Sequence, residues 1–134
     1  MPITYDVSAN GTFVHFSGTG VLDLSDYRRI LQRIAKDDRI KPGCRHLLDL
    51  TGMSNSLLTE QALNKLSILA KSSPKVTKNS RLAIVVSSGA SFDRARYYEK
   101  TAQKNYQDIV VFNSMRTAKI WLGVEKNEFK EMNQ

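Results

Sequence analysis

From Thr4 to Ser8 polar and apolar residues alternate, Ala9-Asn10-Gly11 supplies turn chemistry, and an extended pattern resumes from Thr12 to Ser17, so the chain opens with a β-hairpin. Asp23 stands three residues before Asp26, at the head of a run that puts Leu24, Tyr27, Leu31 and Ile34 on one helical face. This spacing predicts a helix capped by Asp23 and reaching about Asp38. Pro42-Gly43 breaks the chain, and Arg45 to Leu50 reads as a short third strand ending in Asp49-Leu50-Thr51-Gly52, with a polar loop after it. Thr59 can cap a second helix whose inner face carries Ala62, Leu63, Leu66, Leu69 and Ala70, and Ser72-Ser73-Pro74 ends it. Arg81 to Ser87 is the fourth strand, Ser91 caps a third helix running to about Lys104, and Asp108 to Phe112 is the fifth strand. Asn113-Ser114 opens a last helix with Met115, Ala118, Trp121 and Leu122, and Gly123 closes it.

The order β-β-α-β-α-β-α-β-α predicts an α/β domain on one mixed sheet, with four parallel strands joined by right-handed crossovers and the first strand antiparallel at an edge. If each strand pairs with its sequence neighbour, the crossovers place the first three helices on one face. Leu82-Ala83-Ile84-Val85-Val86 and Ile109-Val110-Val111-Phe112 are apolar on both sides, so the other face needs a cover as well. The last helix, the tail or a second subunit can supply it, and a two-fold homodimer is the commonest form of the last.

With 134 residues the chain suits one domain, read as residues 1–123 with a polar C-terminal tail over 124–134. Hydrophobic residues at 41% and charged residues at 25% exclude a disordered or low-complexity chain. The longest apolar run, Leu82 to Val86, is far below the ~20 residues of a bilayer span, and the first residues lack the pattern of a signal peptide. No membrane insertion is expected. The single cysteine, Cys44, fits a buried thiol in a cytoplasmic protein. A net charge of +7 concentrates where Lys65, Lys71, Lys75, Lys78 and Arg81 occur with no acidic residue between Glu60 and Asp93. The stretch has no interleaved aromatics, so specific nucleic-acid binding is not expected.

In an open parallel sheet, ligands and partners meet the loops beyond the carboxyl ends of the strands. Here those loops are Ser17-Gly18-Thr19-Gly20, Thr51 to Leu58, Ser87 to Ser91 and Asn113-Ser114. They predict one rim of hydroxyls, glycines and helix N-termini, with Asp49, Thr51, Ser54, Ser56, Thr59, Ser87, Ser88 and Ser91 as its candidate interaction residues. Ser, Thr and Asn are also what helix caps and turns require, and Asp49 can serve simply by accepting N–H bonds from the segment it precedes. His15 and His46 lie within strands away from these loops, so no rim serine has a general base beside it. Gly18 and Gly20 make only a fragment of a dinucleotide fingerprint, and two scattered histidines with one cysteine make no metal site. No cofactor is expected, and Trp121, Tyr97 and Tyr98 read as packing residues.

This element order, with Asp49-Leu50-Thr51 ending the third strand, resembles the STAS-like (SpoIIAA-like) domains typified by anti-sigma factor antagonists, a fold class related to the CRAL-TRIO lipid-binding domains. Val111-Phe112-Asn113-Ser114 followed by Ala118, Trp121, Leu122 and Gly123 is similar to a group of small uncharacterised bacterial members. The resemblance implies a non-enzymatic module that binds a protein partner through the rim and the second helix. In the antagonists a serine of an Asp-Ser-Ser-Gly segment is phosphorylated. The matching stretch here is Met53-Ser54-Asn55-Ser56-Leu57-Leu58-Thr59, without that segment, so no phosphorylation switch is expected. A rival expectation is a small-molecule or lipid carrier with Met53, Leu57, Leu58 and Phe92 about the loops, which calls for an apolar pocket of roughly 300 Å³ or more.

Overall fold

The computed structural model describes residues 3–56, 59–73, 77–87, 89–106 and 108–124. Leu57, Leu58, Pro74, Lys75, Ser88 and all of the tail but Val124 lie outside the described residues, as do the side chains of Ser54 and Ser56. The elements follow in the order β1 (Ile3–Val7), β2 (Phe13–Leu22), α1 (Leu24–Lys36), β3 (Arg45–Ser56), α2 (Glu60–Lys71), β4 (Arg81–Val85), α3 (Gly89–Ala102), β5 (Asp108–Phe112) and α4 (Met115–Leu122). The strands lie side by side in sequence order, β1 antiparallel to β2 and the other pairs parallel, as the α/β reading requires.

Local chemistry sets the helix ends. Asp23 Oδ1 accepts from the Asp26 N–H at 3.1 Å while Asp26 Oδ2 accepts from the Asp23 N–H at 2.9 Å, a reciprocal capping box that starts α1. Ser114 caps α4 by accepting from the Thr117 N–H, and Gly123 ends it in the left-handed conformation. At the other end of α1, Asp37 accepts from the Tyr5 hydroxyl at 2.7 Å and from Arg39 Nε and Nη2 at 3.0 and 2.7 Å, fastening the edge strand to the helix end.

The strand register separates the sheet's two faces. On one, Val14, Phe16, Leu82, Ile84, Ile109 and Val111 pack under α1, α2 and α3. On the other, Phe13, Leu47, Ala83 and Val85 are buried against Ala118 and Leu122 of α4. The second cover is therefore the last helix, so these apolar residues do not need another subunit to shield them. Two arginines hold α4 in place. Arg45 donates to the carbonyls of Leu122 and Gly123 at 3.3 and 3.0 Å, and Arg81 donates to the Trp121 carbonyl at 2.9 Å with its guanidinium 4.2 Å from the indole centroid. Both positive groups sit at the negative end of the helix dipole and bond carbonyls that the helix leaves open. Arg81 thus belongs to the α4 contact and departs from the expected basic stretch, where Lys65, Lys71 and Lys78 are exposed.

Three expected boundaries are corrected. β2 continues through Gly18-Thr19-Gly20 to Leu22, and β3 continues through Thr51 to Ser56, because the two stretches pair with each other: Thr19 with Gly52, Gly20 with Met53, Val21 with Asn55 and Leu22 with Ser56. Irregularities between Ser17 and Thr19 and between Gly20 and Val21 absorb the register change. Gly18 is confined by packing, since a Cβ there would fall 2.8 Å from Leu50 Cδ2, and Gly20 takes a φ of +71°. α3 begins at Gly89, so Ser91 lies inside the helix and is not its cap.

Two outcomes check this account. Ala118 is 0% exposed and Ile120 69% exposed on the same helix. Ala118→Asp is expected to cost about 3 kcal/mol or more in urea unfolding, since it buries an unpaired carboxylate, while Ile120→Asp stays within about 0.5 kcal/mol. The Arg39 guanidinium and the Tyr5 hydroxyl hold the Asp37 carboxyl well below the usual carboxylate range. The folded state therefore binds this proton less readily than the unfolded chain, and the contribution of Asp37 is present above about pH 4 and lost as pH falls below it. Asp37→Asn is expected to lose about 1 kcal/mol at pH 7 and to show a shallower loss of stability as pH falls below about 4 than the parent.

Candidate functional site

The carboxyl ends of the parallel strands carry two features, a projecting ledge and a cavity beneath it. The ledge arises because β3 outruns β4. The β3–β4 pairing runs from Arg45 with Arg81 to Asp49 with Val85, whereas the β2–β3 pairing extends on to Ser56. Beyond Asp49, β3 has β2 on one side and, among the described residues, no strand on the other. Thr19, Gly20, Thr51 and Gly52 are exposed here, and Val21 is 51% exposed.

Of the eight candidate rim residues, Ser88 and the side chains of Ser54 and Ser56 lie outside the described residues, and those described have separate local surroundings. Asp49 Oδ1 accepts from the Thr51 N–H at 2.9 Å and from the Thr51 hydroxyl at 2.6 Å, so this carboxylate braces the base of the ledge. The backbones of Ser54 and Ser56 are in β3, not in a loop. Thr59 Oγ1 accepts from the Ala62 N–H at 3.1 Å and is the cap of α2, as its position suggested. Ser87 is exposed after β4, and Ser91 faces the cavity from α3.

The histidines are closer to other groups than their strand positions implied. Ser17 stands opposite Asp49, and His15, two residues earlier on the same strand, shares their face of the sheet. Burial lowers the His15 imidazole below its ordinary value, opposed by the negative charges of Asp49 and Asp6 and assisted by Lys119 of α4. On the opposite face, Cys44 Sγ lies 3.1 Å from His46 Nε2, both residues are buried, and the imidazole stacks on Phe16 at 5.7 Å. The signal for this contact was the Cys-x-His spacing at the head of a strand, which puts both side chains on one face. It is a packed, buried pair of structural character.

The cavity, about 110 Å³, lies between the sheet and the three helices on its first face. Its walls are apolar: Phe16, Leu50 and Ile84 from the sheet, Ile30 from α1, Leu66 from α2 and Ala95 from α3. Met53 borders it from the ledge. Tyr27, Tyr98 and Tyr106 also line it, and burial pushes all three phenols up, Tyr106 to about 12, so they are neutral near pH 7. The volume is below the lipid-sized pocket that a carrier of the expected kind calls for. It approaches the roughly 150 Å³ of an apolar cavity that takes up benzene.

Among the described residues there is no group of three His, Cys, Asp or Glu side chains able to hold a metal, and no helix long and apolar enough to cross a membrane. Neither a protein-family profile nor a curated protein matches the chain. A solved structure does: an uncharacterised protein of the DUF3478 family from Shewanella loihica, described as having a SpoIIAA-like fold, is similar at a TM-score of 0.53 and 22% identity over 90% of this chain and 91% of that one. The fold of this chain is α/β with a mixed five-stranded sheet, of SpoIIAA-like topology.

Proposed function

We propose that this chain is a non-enzymatic cytoplasmic binding module that engages a protein partner through the ledge formed by the ends of β2 and β3. The observation that carries the reading is that, among the described residues, no strand pairs with β3 on the β4 side beyond Asp49. An unpaired strand edge offers a row of N–H and C=O groups, and a partner segment that adds to it gains main-chain hydrogen bonds while neighbouring side chains select its sequence. Val21 supplies apolar area beside that edge. Asp49, engaged by Thr51, supports a binding role over a catalytic one, and the buried His46 imidazole lies against Cys44. The resemblance to anti-sigma factor antagonists favours a protein as the partner. Regulation by phosphate at Ser54 or Ser56 is not part of this reading, because the segment lacks the antagonists' serine motif. The test is parallel capture on immobilised wild type, Val21→Glu and Ile120→Glu, both positions being exposed. A specific partner is expected to bind wild type and Ile120→Glu alike and to lose about tenfold or more on Val21→Glu. A partner retained by Val21→Glu, or lost from both variants, contradicts the ledge as its site.

The cavity favours a second reading, in which the domain also holds a small apolar molecule. Its volume and its predominantly apolar walls suit a ligand of about one six-membered ring. Titration with benzyl alcohol, followed by chemical shifts of the Tyr98 and Tyr106 rings, is expected to saturate, and Ala95→Leu, which fills the space, is expected to abolish the response. Wild-type shifts that do not saturate contradict this reading.

A further inference from the structure

Most of the residues around the cavity are apolar; beside His46, Ser91 and the three phenols, a single charged side chain stands among the described residues that line it. Arg94, on the first turns of α3 and therefore at the carboxyl end of the sheet, is the one Lys, Arg, Asp or Glu among the described residues lining it. Its Nε is fully buried and, among the described residues, has no hydrogen-bond acceptor. A buried guanidinium N–H without an acceptor is costly, so an acceptor placed there gains by relieving it. The neighbouring carboxylates are engaged elsewhere or turned outward. Asp26 closes the capping box of α1, Glu99 accepts from the Val111 N–H at 2.8 Å and lies 3.6 Å from Arg96, and Asp93 is exposed.

We infer that the cavity is a site for a compact apolar monocarboxylate, with Arg94 pairing its carboxylate at the ledge end and the apolar walls taking its body. The inference rests on the second reading above and names its ligand class. Three features suit an anion of this kind. The guanidinium presents several N–H donors in a plane that matches a carboxylate's two oxygens. The first turn of α3 contains no acidic residue, so the positive end of a 14-residue helix dipole adds to the Arg94 charge beside Ser91. The three phenols are neutral and offer no repulsion to a negative headgroup. At about 110 Å³ the space admits a body of benzene size, while a long acyl chain would not fit.

The test compares benzoate with its uncharged counterpart benzyl alcohol by calorimetric or NMR titration on wild type, Arg94→Gln and Arg94→Lys. Benzoate is expected to bind wild type about tenfold or more tightly than benzyl alcohol does. Arg94→Gln is expected to remove that advantage while leaving benzyl alcohol within about twofold, and Arg94→Lys to restore part of it. Equal binding of the two probes to wild type, or a benzoate preference that survives Arg94→Gln, overturns the carboxylate assignment and leaves the cavity reading standing. Loss of both probes in a folded Arg94→Gln protein makes Arg94 a structural residue and overturns it too. Failure of both probes on wild type removes the cavity reading itself, and this inference with it.

Discussion

The central strands must be covered on both faces, and the rest of the structure follows from how that is achieved. Parallel strands with apolar residues on both sides cannot leave either side in water, and same-handed crossovers commit three helices to one face. Among the described residues that leaves a single eight-residue helix, α4, for the other. A helix so short has little intrinsic stability, and the structure compensates with specific anchoring. Arg45 and Arg81, one from each central strand, bond the carbonyls at its C-terminus, and Arg81 stacks on Trp121. The same arginines shield Phe13 and the indole, so their hydrocarbon stems contribute as well as their charge.

This division of labour positions the functional features. Because α4 covers only the part of its face near β4, the part toward β1 is polar, with Asp6, His15, Ser17 and Asp49 sharing it. On the other face three larger helices meet over the sheet without filling the space completely, and the cavity is the remainder. Gly18 matters here, since its missing side chain leaves room for those of Leu50 and Leu22. The ledge follows from strand length alone: β2 and β3 keep each other company after β4 and β5 have stopped.

Much of this was legible in the sequence where the signal is local. The hairpin, the Asp23 and Thr59 caps, the opening of the last helix at Asn113-Ser114 and the Gly123 stop rest on residues a few positions apart, whereas the strand order entered as the assumption that sequence neighbours pair. The ledge was not legible. Ser17-Gly18-Thr19-Gly20 and Thr51 to Ser56 have loop composition, and what makes them strands is pairing between segments more than thirty residues apart, with bulges absorbing the mismatch. Arg81 was read with the basic residues around it because charge in sequence does not reveal that Trp121 lies against it. Ser91 has a capping side chain but the helix starts two residues earlier, so its hydroxyl stands at the cavity instead. The cavity and the buried Nε of Arg94 depend on how three helices close over a sheet, which no single segment encodes.

The claim on which the functional account turns is that β3 has an open edge beyond Asp49. Amide hydrogen exchange resolved along β3 tests it most directly. Residues 45–49, paired on both sides, are expected to be protected to near the global stability, whereas in residues 52–56 the amides that do not face β2 are expected to exchange about a hundredfold faster or more. Uniform protection across residues 45–56 in the isolated protein would mean that the edge is already covered, and would contradict its role as a docking site.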